Sequence, residues 1–173
     1  DFLANRQFAF SAAVANKCQM TPAAGSSAAS TWVAFDSTYD ASLTFTTSST
    51  GQVIVTVNGS VYMFVQSGGG VDGNYSIGGT YTGFRIIDQS SSVVVGPDWN
   101  RTLMFQIDGN RTDGFFADGA GVRSAASFKC TLSPNTTYTV QTIRGFDHAL
   151  APGCIGNHIW NPGTFVGIQE VGK

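Results

Sequence analysis

In the stretch QVIVTVNGSVYMFV, residues 52–65, the apolar side chains Val53, Val55, Val57, Val61, Met63 and Val65 all share one parity. A repeat of two belongs to a half-buried strand, because a helix brings a face round only every 3.6 residues. Asn58-Gly59 in its middle is a strong two-residue hairpin signal. The parity nevertheless crosses Gly59 unbroken. A single long strand with a close backbone approach or bulge at Gly59 explains that directly, and is the favoured reading.

The same alternation recurs along the chain, and helical periodicity is nearly absent. About ten strands are expected: near 6–12, 31–36, 41–47, 52–65, 80–87, 92–96, 101–108, 124–132, 136–144 and 164–171. Between them lie turn phrases such as AAGSSAAS, TTSSTG, QSGGGVDGN, GPDWN, DGNRTDG and LSPN. Residues 3–16 carry the alanines of a helix, but Phe8 and Phe10 alternate as in a strand, so an edge strand is expected there. Many short strands with Gly and Ser punctuation predict an all-β protein, an antiparallel β-sandwich or barrel. No linker or internal repeat divides it. A single domain over 1–173 is expected, with 1–30 as N-terminal edge strand and connection.

LSPNTTYTV at 132–140 is a sharper signal. A proline-led turn feeding a strand that opens with Tyr138 predicts a tyrosine corner, its hydroxyl bonded to backbone a few residues upstream. Such corners mark Greek-key sandwiches.

Composition narrows the partners. Charged residues make up 12% of the chain, against roughly 25% in ordinary globular proteins. The net charge of −2 offers no basic face for nucleic acid. No apolar run approaches the roughly 20 residues of a membrane-spanning helix, so no membrane insertion is expected. A surface of Ser, Thr, Asn and Gly suits an extracellular or virion setting. The opening DFLANRQF reads as if cut from something longer.

Of three cysteines, Cys130 lies on the apolar parity of ASFKCTL and is expected to be a buried thiol. Cys18 and Cys154 sit in loop-like sequence and could pair in an oxidising compartment.

The most unusual segment is DHALAPGCIGNHIWNP, 147–162, which holds both histidines of the chain. Asp147, His148, Cys154 and His158 are ligand types that zinc accepts, but the spacing lacks a tight pair, and no metal is expected. Catalysis by Cys154 would need a base and an orienting group that sequence cannot place. The plainer reading is a solvent-facing loop pinned by Ile155, Ile159 and Trp160 turned inward; the alternative, also weighed, makes His148, His158 and Trp160 ligand contacts of that loop. In DGNRTDGFFADG, 108–119, the acidic residues depart from calcium-loop spacing, since Asp113 stands where glycine is needed. There Arg111, Asp113, Phe115 and Phe116 are candidate contacts, with interface packing weighed against a sugar face.

Trp99 in GPDWN reads as a turn residue that covers a sheet end or stacks on carbohydrate. Gly68-Gly69-Gly70 lacks the downstream Lys of a phosphate loop. Five of nine asparagines, Asn58, Asn74, Asn100, Asn110 and Asn135, stand in N-x-S/T. Turn chemistry explains that excess better than glycosylation. No paired carboxylates and no Gly-x-Ser-x-Gly occur, so the chain is not expected to be an enzyme, and no cofactor is expected.

TWVAFDSTYDASLTFTTSSTGQVIVTV and the C-terminal LSPNTTYTVQTIR with GTFVGIQEVG resemble the distal head domains of bacteriophage tail fibres and minor tail proteins. The resemblance spans about 31–57 and 124–172. It implies a tumour-necrosis-factor-like jelly roll, a homotrimer at the virion tail tip that binds a host cell-surface glycan or protein. The cysteines and the long final loop depart from that pattern.

If strands alternate direction in sequence order, loops 109–123 and 145–163 converge at the end away from the termini, and connections 66–79 and 97–100 lie near the termini. The expected function is non-enzymatic adhesion through those two far loops. The alternatives are a eukaryotic extracellular trimeric recognition or signalling module, and a carbohydrate-binding module of a larger enzyme.

Overall fold

The computed structural model describes residues 6–10, 17–67, 75–92, 94–110, 117–150 and 152–171. These form eleven strands in two antiparallel sheets, and no helix occurs among the described residues. The strands are β1 (Arg6–Phe10), β2 (Cys18–Met20), β3 (Ser27–Trp32), β4 (Ser42–Thr46), β5 (Gln52–Ser67) and β6 (Tyr75–Asp88). They continue as β7 (Val94–Asn110), β8 (Ala117–Thr131), β9 (Thr137–Ala149), β10 (Cys154–Trp160) and β11 (Phe165–Glu170).

The spine is β5, one continuous strand through Asn58-Gly59, as the parity requires. On one side it pairs without interruption with β8, from Gln52↔Thr131 to Gln66↔Ala117. On the other side the partner changes at Gly59. There β10 ends with Trp160 opposite Val61, and β11 starts with Phe165 opposite Asn58. The hairpin-like dipeptide therefore marks a break in the neighbour, not a turn in its own strand. Beyond β10 and β11 lie β2 and β1.

In the second sheet β9 pairs with β6, β6 with β7, and β3 and β4 share the other edge of β9. Counting β1 with β2, β3 with β4 and β10 with β11 gives two four-position sheets whose strands interleave in sequence. That is the order of a jelly roll.

Three expectations change. The strand expected at 31–36 runs from Ser27 to Trp32 instead, so that the end of AAGSSAAS is strand and not turn. GPDWN is no turn: it lies inside β7, where Phe84 pairs with Asn100 but Ile86 pairs with Val95. The surplus residues bulge from an edge strand, where proline's missing N–H is tolerated. Counting that bulge as a connection also misplaces an end. The strand ends flanking 68–74 stand at the far end, because Ser67 lies beside Cys154 and Ile77 beside Ala149. The expectation that 66–79 lies near the termini is thus corrected. The flanks of 111–116 and of 150–153 share that far end, as expected. At the opposite end Arg6 pairs with Gln169, so β1 begins where β11 finishes.

The apolar core fills the half nearer the termini. Val53, Val55, Val57, Phe84, Ile86, Val140, Val166 and Ile168 meet Phe45, Tyr138 and Leu132 there. The tyrosine corner forms: the Tyr138 hydroxyl oxygen accepts the Ser133 N–H at 3.1 Å. Beside it Gly51 takes φ +63°, and a Cβ there would run into the Leu132 carbonyl. Cys130 is 4% exposed, and burial pushes its thiol up to about 11, the buried thiol expected.

Candidate functional site

The far half of the interior is built differently. The segment 145–163, expected as a surface loop, is mostly strand. Residues 145–149 finish β9, 154–160 make β10, and only a short connection joins them. His148, His158 and Trp160 are 8%, 0% and 3% exposed. The expectation of exposed apical contacts is corrected for these three, since almost none of their surface is open to a receptor in this fold. Ile159 is buried, while Ile155 faces outward at 43% exposure.

The two rings face each other between the sheets. His158 Nε2 lies 3.2 Å from His148 Nδ1. His158 Nδ1 lies 2.8 Å from Thr80 Oγ1 on β6, and His148 Nε2 lies 3.1 Å from Ser26 Oγ. The direction of every bond follows from one end. The Ser26 hydroxyl donates its single proton to the Ala23 carbonyl at 2.6 Å, so it must accept from His148 Nε2–H. His148 Nδ1 is then a lone pair and accepts His158 Nε2–H. His158 Nδ1 in turn accepts the Thr80 O–H. Both imidazoles are neutral, and each ring nitrogen has a partner.

Burial disfavours the charged form of both rings. It takes His158 down to about 4, with His148 as a further, like-charge cause. It also lowers His148, against a weaker opposing pull from Asp147.

Next to the pair lies a buried fork. Arg144 is 5% and Asp40 2% exposed. Arg144 Nε donates to Asp40 Oδ1 at 3.0 Å and Nη2 to Oδ2 at 3.2 Å. Nη1 reaches Cys18 Sγ at 2.7 Å, and Nη2 also donates to the Ala34 carbonyl at 3.3 Å. The guanidinium lies 5.2 Å from the Tyr39 ring centre and 5.9 Å from that of Trp160. Burial pushes the Asp40 carboxyl up against the downward pull of these hydrogen bonds. Burial would lower Arg144, but Asp40 and Cys18 outweigh it and raise it. Trp160 Nε1 donates to the Tyr81 carbonyl at 2.9 Å, which closes the group.

Sequence reasoning placed Arg144 on a strand but missed its role. It shares parity with Tyr138 and Val140, both buried, and a lone charge in such a row is the signal that a buried partner exists. Nothing local marks Asp40, Thr80 or Ser26 as those partners.

Asp147, His148, Cys154 and His158 do not form one ligand set; no group of three or more metal-ligating side chains occurs among the described residues. The three cysteines are free. A Cys18–Cys154 bridge is excluded by register: Cys18 stands opposite Trp160, six positions along β10 from Cys154. That is roughly 20 Å at about 3.3 Å per residue, and a disulfide needs Cα atoms within about 7 Å. Arg111, Asp113, Phe115 and Phe116 lie outside the described residues, as do the side chains of Trp99, Asn100 and Asn110. Asn58 stands in mid-strand with partners on both sides, and Asn135 lies exposed in the corner turn at φ +51°.

No family model and no curated protein matches the chain. Among solved structures it is similar to Eiger TNF from S. frugiperda, at 12% identity over 98% of this chain and 94% of that one, with a TM-score of 0.38. It is similar to a protein of infectious bursal disease virus Gx strain at 10% identity, covering 95% of this chain and 40% of that one, TM-score 0.25. For the Gt strain the figures are 13% identity, 98%, 37% and 0.25. The chain spans less than half the length of the two viral proteins. The jelly roll assigned above rests on this chain's own strand order.

Proposed function

We propose that the chain is a non-enzymatic recognition head that assembles as a homotrimer and meets its target through the end away from its termini. In its specific form it is the head of a phage tail fibre, carried at the virion tail tip, and its target is a host cell-surface glycan. One observation carries the reading: β1 begins and β11 finishes at one end, while the strands flanking 21–26, 68–74, 111–116 and 150–153 all stop at the other. A stalk at the first end would leave the second free. Connections on a rigid sandwich are where binding residues concentrate. Arg111, Asp113, Phe115 and Phe116 fall in one of these four connections, and aromatic with charged side chains suits a sugar ring and its hydroxyls. His148 bonds His158, and Arg144 bonds Asp40, inside the sandwich, which favours binding over catalysis.

The trimer reading draws on the outer face of the first sheet. Ile54, Tyr62 and Phe64 stand half-buried there beside Thr56 and Ala125, and a second copy could cover them. Three heads multiply weak contacts through avidity.

Light scattering on the purified chain is expected to give a trimer. Binding to whole bacterial cells is expected to fall strongly on Phe116→Ala with the mass unchanged. Normal binding by that variant would refute the far-end assignment. A monomer that binds free oligosaccharide would favour the carbohydrate-binding-module alternative.

A further inference from the structure

We propose that the His148–His158 pair is an acid-sensitive latch, which ties the far-end connections 21–26 and 150–153 to the sandwich interior and releases them when the pair takes up a proton. The inference stands whichever molecule the far end meets.

The latch is visible in the bonding. Ser26 is the shared anchor. Its hydroxyl receives the histidine chain, its backbone N–H donates to Ala23 O at 3.1 Å, and its carbonyl accepts the Leu150 N–H at 2.9 Å. One serine thus holds the end of the first connection, the start of the second and the His148 ring. The run from Thr80 through His158, His148 and Ser26 to the Ala23 carbonyl has each proton placed and no vacancy for another. A proton added at His148 Nδ1 would face the N–H of His158. One added at His158 Nδ1 would displace the Thr80 hydroxyl proton and leave a charge on a ring with no exposure. Either way the neutral chain is broken.

The surroundings offset that charge only weakly: Asp147 favours a charged His148, and burial outweighs it. On β9, Asp147 has the opposite parity to His148 and so belongs to the other face of the sheet, and Arg144 is already a cation held by Asp40. On β10 the ionisable neighbour is Cys154, and on β2 it is Cys18, which contacts Arg144. Facing positions supply Thr80 from β6 and Met63 from β5, neither ionisable. Ser26 and Ala28 come from the start of β3. Phe146 and Trp160 lie tilted beside His158 at 5.1 and 6.3 Å, and Phe146 stacks on His148 at 5.8 Å, which shields both rings further. The lowered values of both rings agree with this geometry.

The test is amide hydrogen exchange at about pH 7.5 and about pH 4.5, corrected for intrinsic rates, on the wild type and on His148→Gln/His158→Gln. A glutamine amide can donate and accept in the same places but does not titrate. In the wild type, acid is expected to speed exchange in 21–26 and 150–153 at least about tenfold while 132–140 keeps its protection, as expected of local opening. The double variant is expected to lose that acid response. Equal protection of those segments at both pH values, or an unchanged acid response in the variant, would overturn the latch. Should the variant fail to fold, the ring signals of the two wild-type histidines decide. They are expected to titrate together, well below about 6.5, and in step with opening of 21–26. A ring that titrates near that ordinary value without any change there overturns the proposal.

Discussion

The two halves of the interior are made by the same strands and held by different physics. Near the termini, β5, β6 and β9 present Val53, Val55, Val57, Phe84, Ile86, Tyr138 and Val140, a continuous apolar cluster. Further along, the same strands present Met63, Thr80, Arg144, Phe146 and His148, joined by His158 and Trp160 from β10. The first half gains from area removed from water, about 25 cal/mol per Å² of apolar surface, and tolerates any partner of suitable volume. The second depends on one-to-one matching. Each polar group there is harmless only while its own partner is present, because an orphaned buried donor or charge keeps its full desolvation cost.

Substitutions can break this contrast. Phe84→Ala should have the largest effect, a loss of about 4 kcal/mol from burial and cavity together. Its slope of stability against pH should match that of the wild type. Denaturant unfolding at two pH values checks both points, and a changed slope would mean the halves are not independent.

Asp40→Asn leaves the Arg144 guanidinium buried without its counter-charge, which should cost about 3 kcal/mol. Asp40→Leu combined with Arg144→Met should recover most of that in the same assay. If the double substitution is worse than the single one, the fork itself stabilises the far half and the matching argument fails.

Acid should separate the halves without any mutation. The folded value of His158 is depressed to about 4 from an ordinary 6.5. The unfolded chain therefore binds its proton first as pH falls. Stability present above about 6.5 drains away below it, and the loss is complete near the folded value, at most about 3 kcal/mol. His158→Gln should flatten this slope. A flat wild-type profile across that window would show that the ring finds solvent or a counter-ion.

The smallest effect belongs to the corner. Tyr138→Phe removes the acceptor of the Ser133 N–H at the edge of the apolar half, and should cost about 1 kcal/mol, independent of pH in this range. A loss several times larger would mean that the corner also sets the register of β9.

The histidine segment shows why legibility differs along one chain. The end of β9 reads as a loop in GFDHA because its inward row, Arg144, Phe146 and His148, is mostly polar, so alternation of hydrophobicity disappears although alternation of direction continues. In β10 the residues on both faces include large apolar ones, Ile155 and Ile159 on one and Trp160 on the other, and the period vanishes for the opposite reason. The GPDWN bulge misleads by carrying turn residues into a strand that bulges without ending.

What the amino-acid order determined unaided is the set of properties that are local. A two-residue period, broken by glycine, serine and proline, dictates strands in antiparallel sheets. One parity from 53 to 65 dictates a single long β5, and a proline-led turn before Tyr138 dictates its corner. Those follow from backbone geometry and from water's preference for one face of each strand. Only the tertiary structure decided that the two histidines, ten residues apart, touch, or that Arg144 meets Asp40 across 104 positions. A buried polar side chain is defined by the partner that satisfies it, and that partner is set by register between strands distant in sequence.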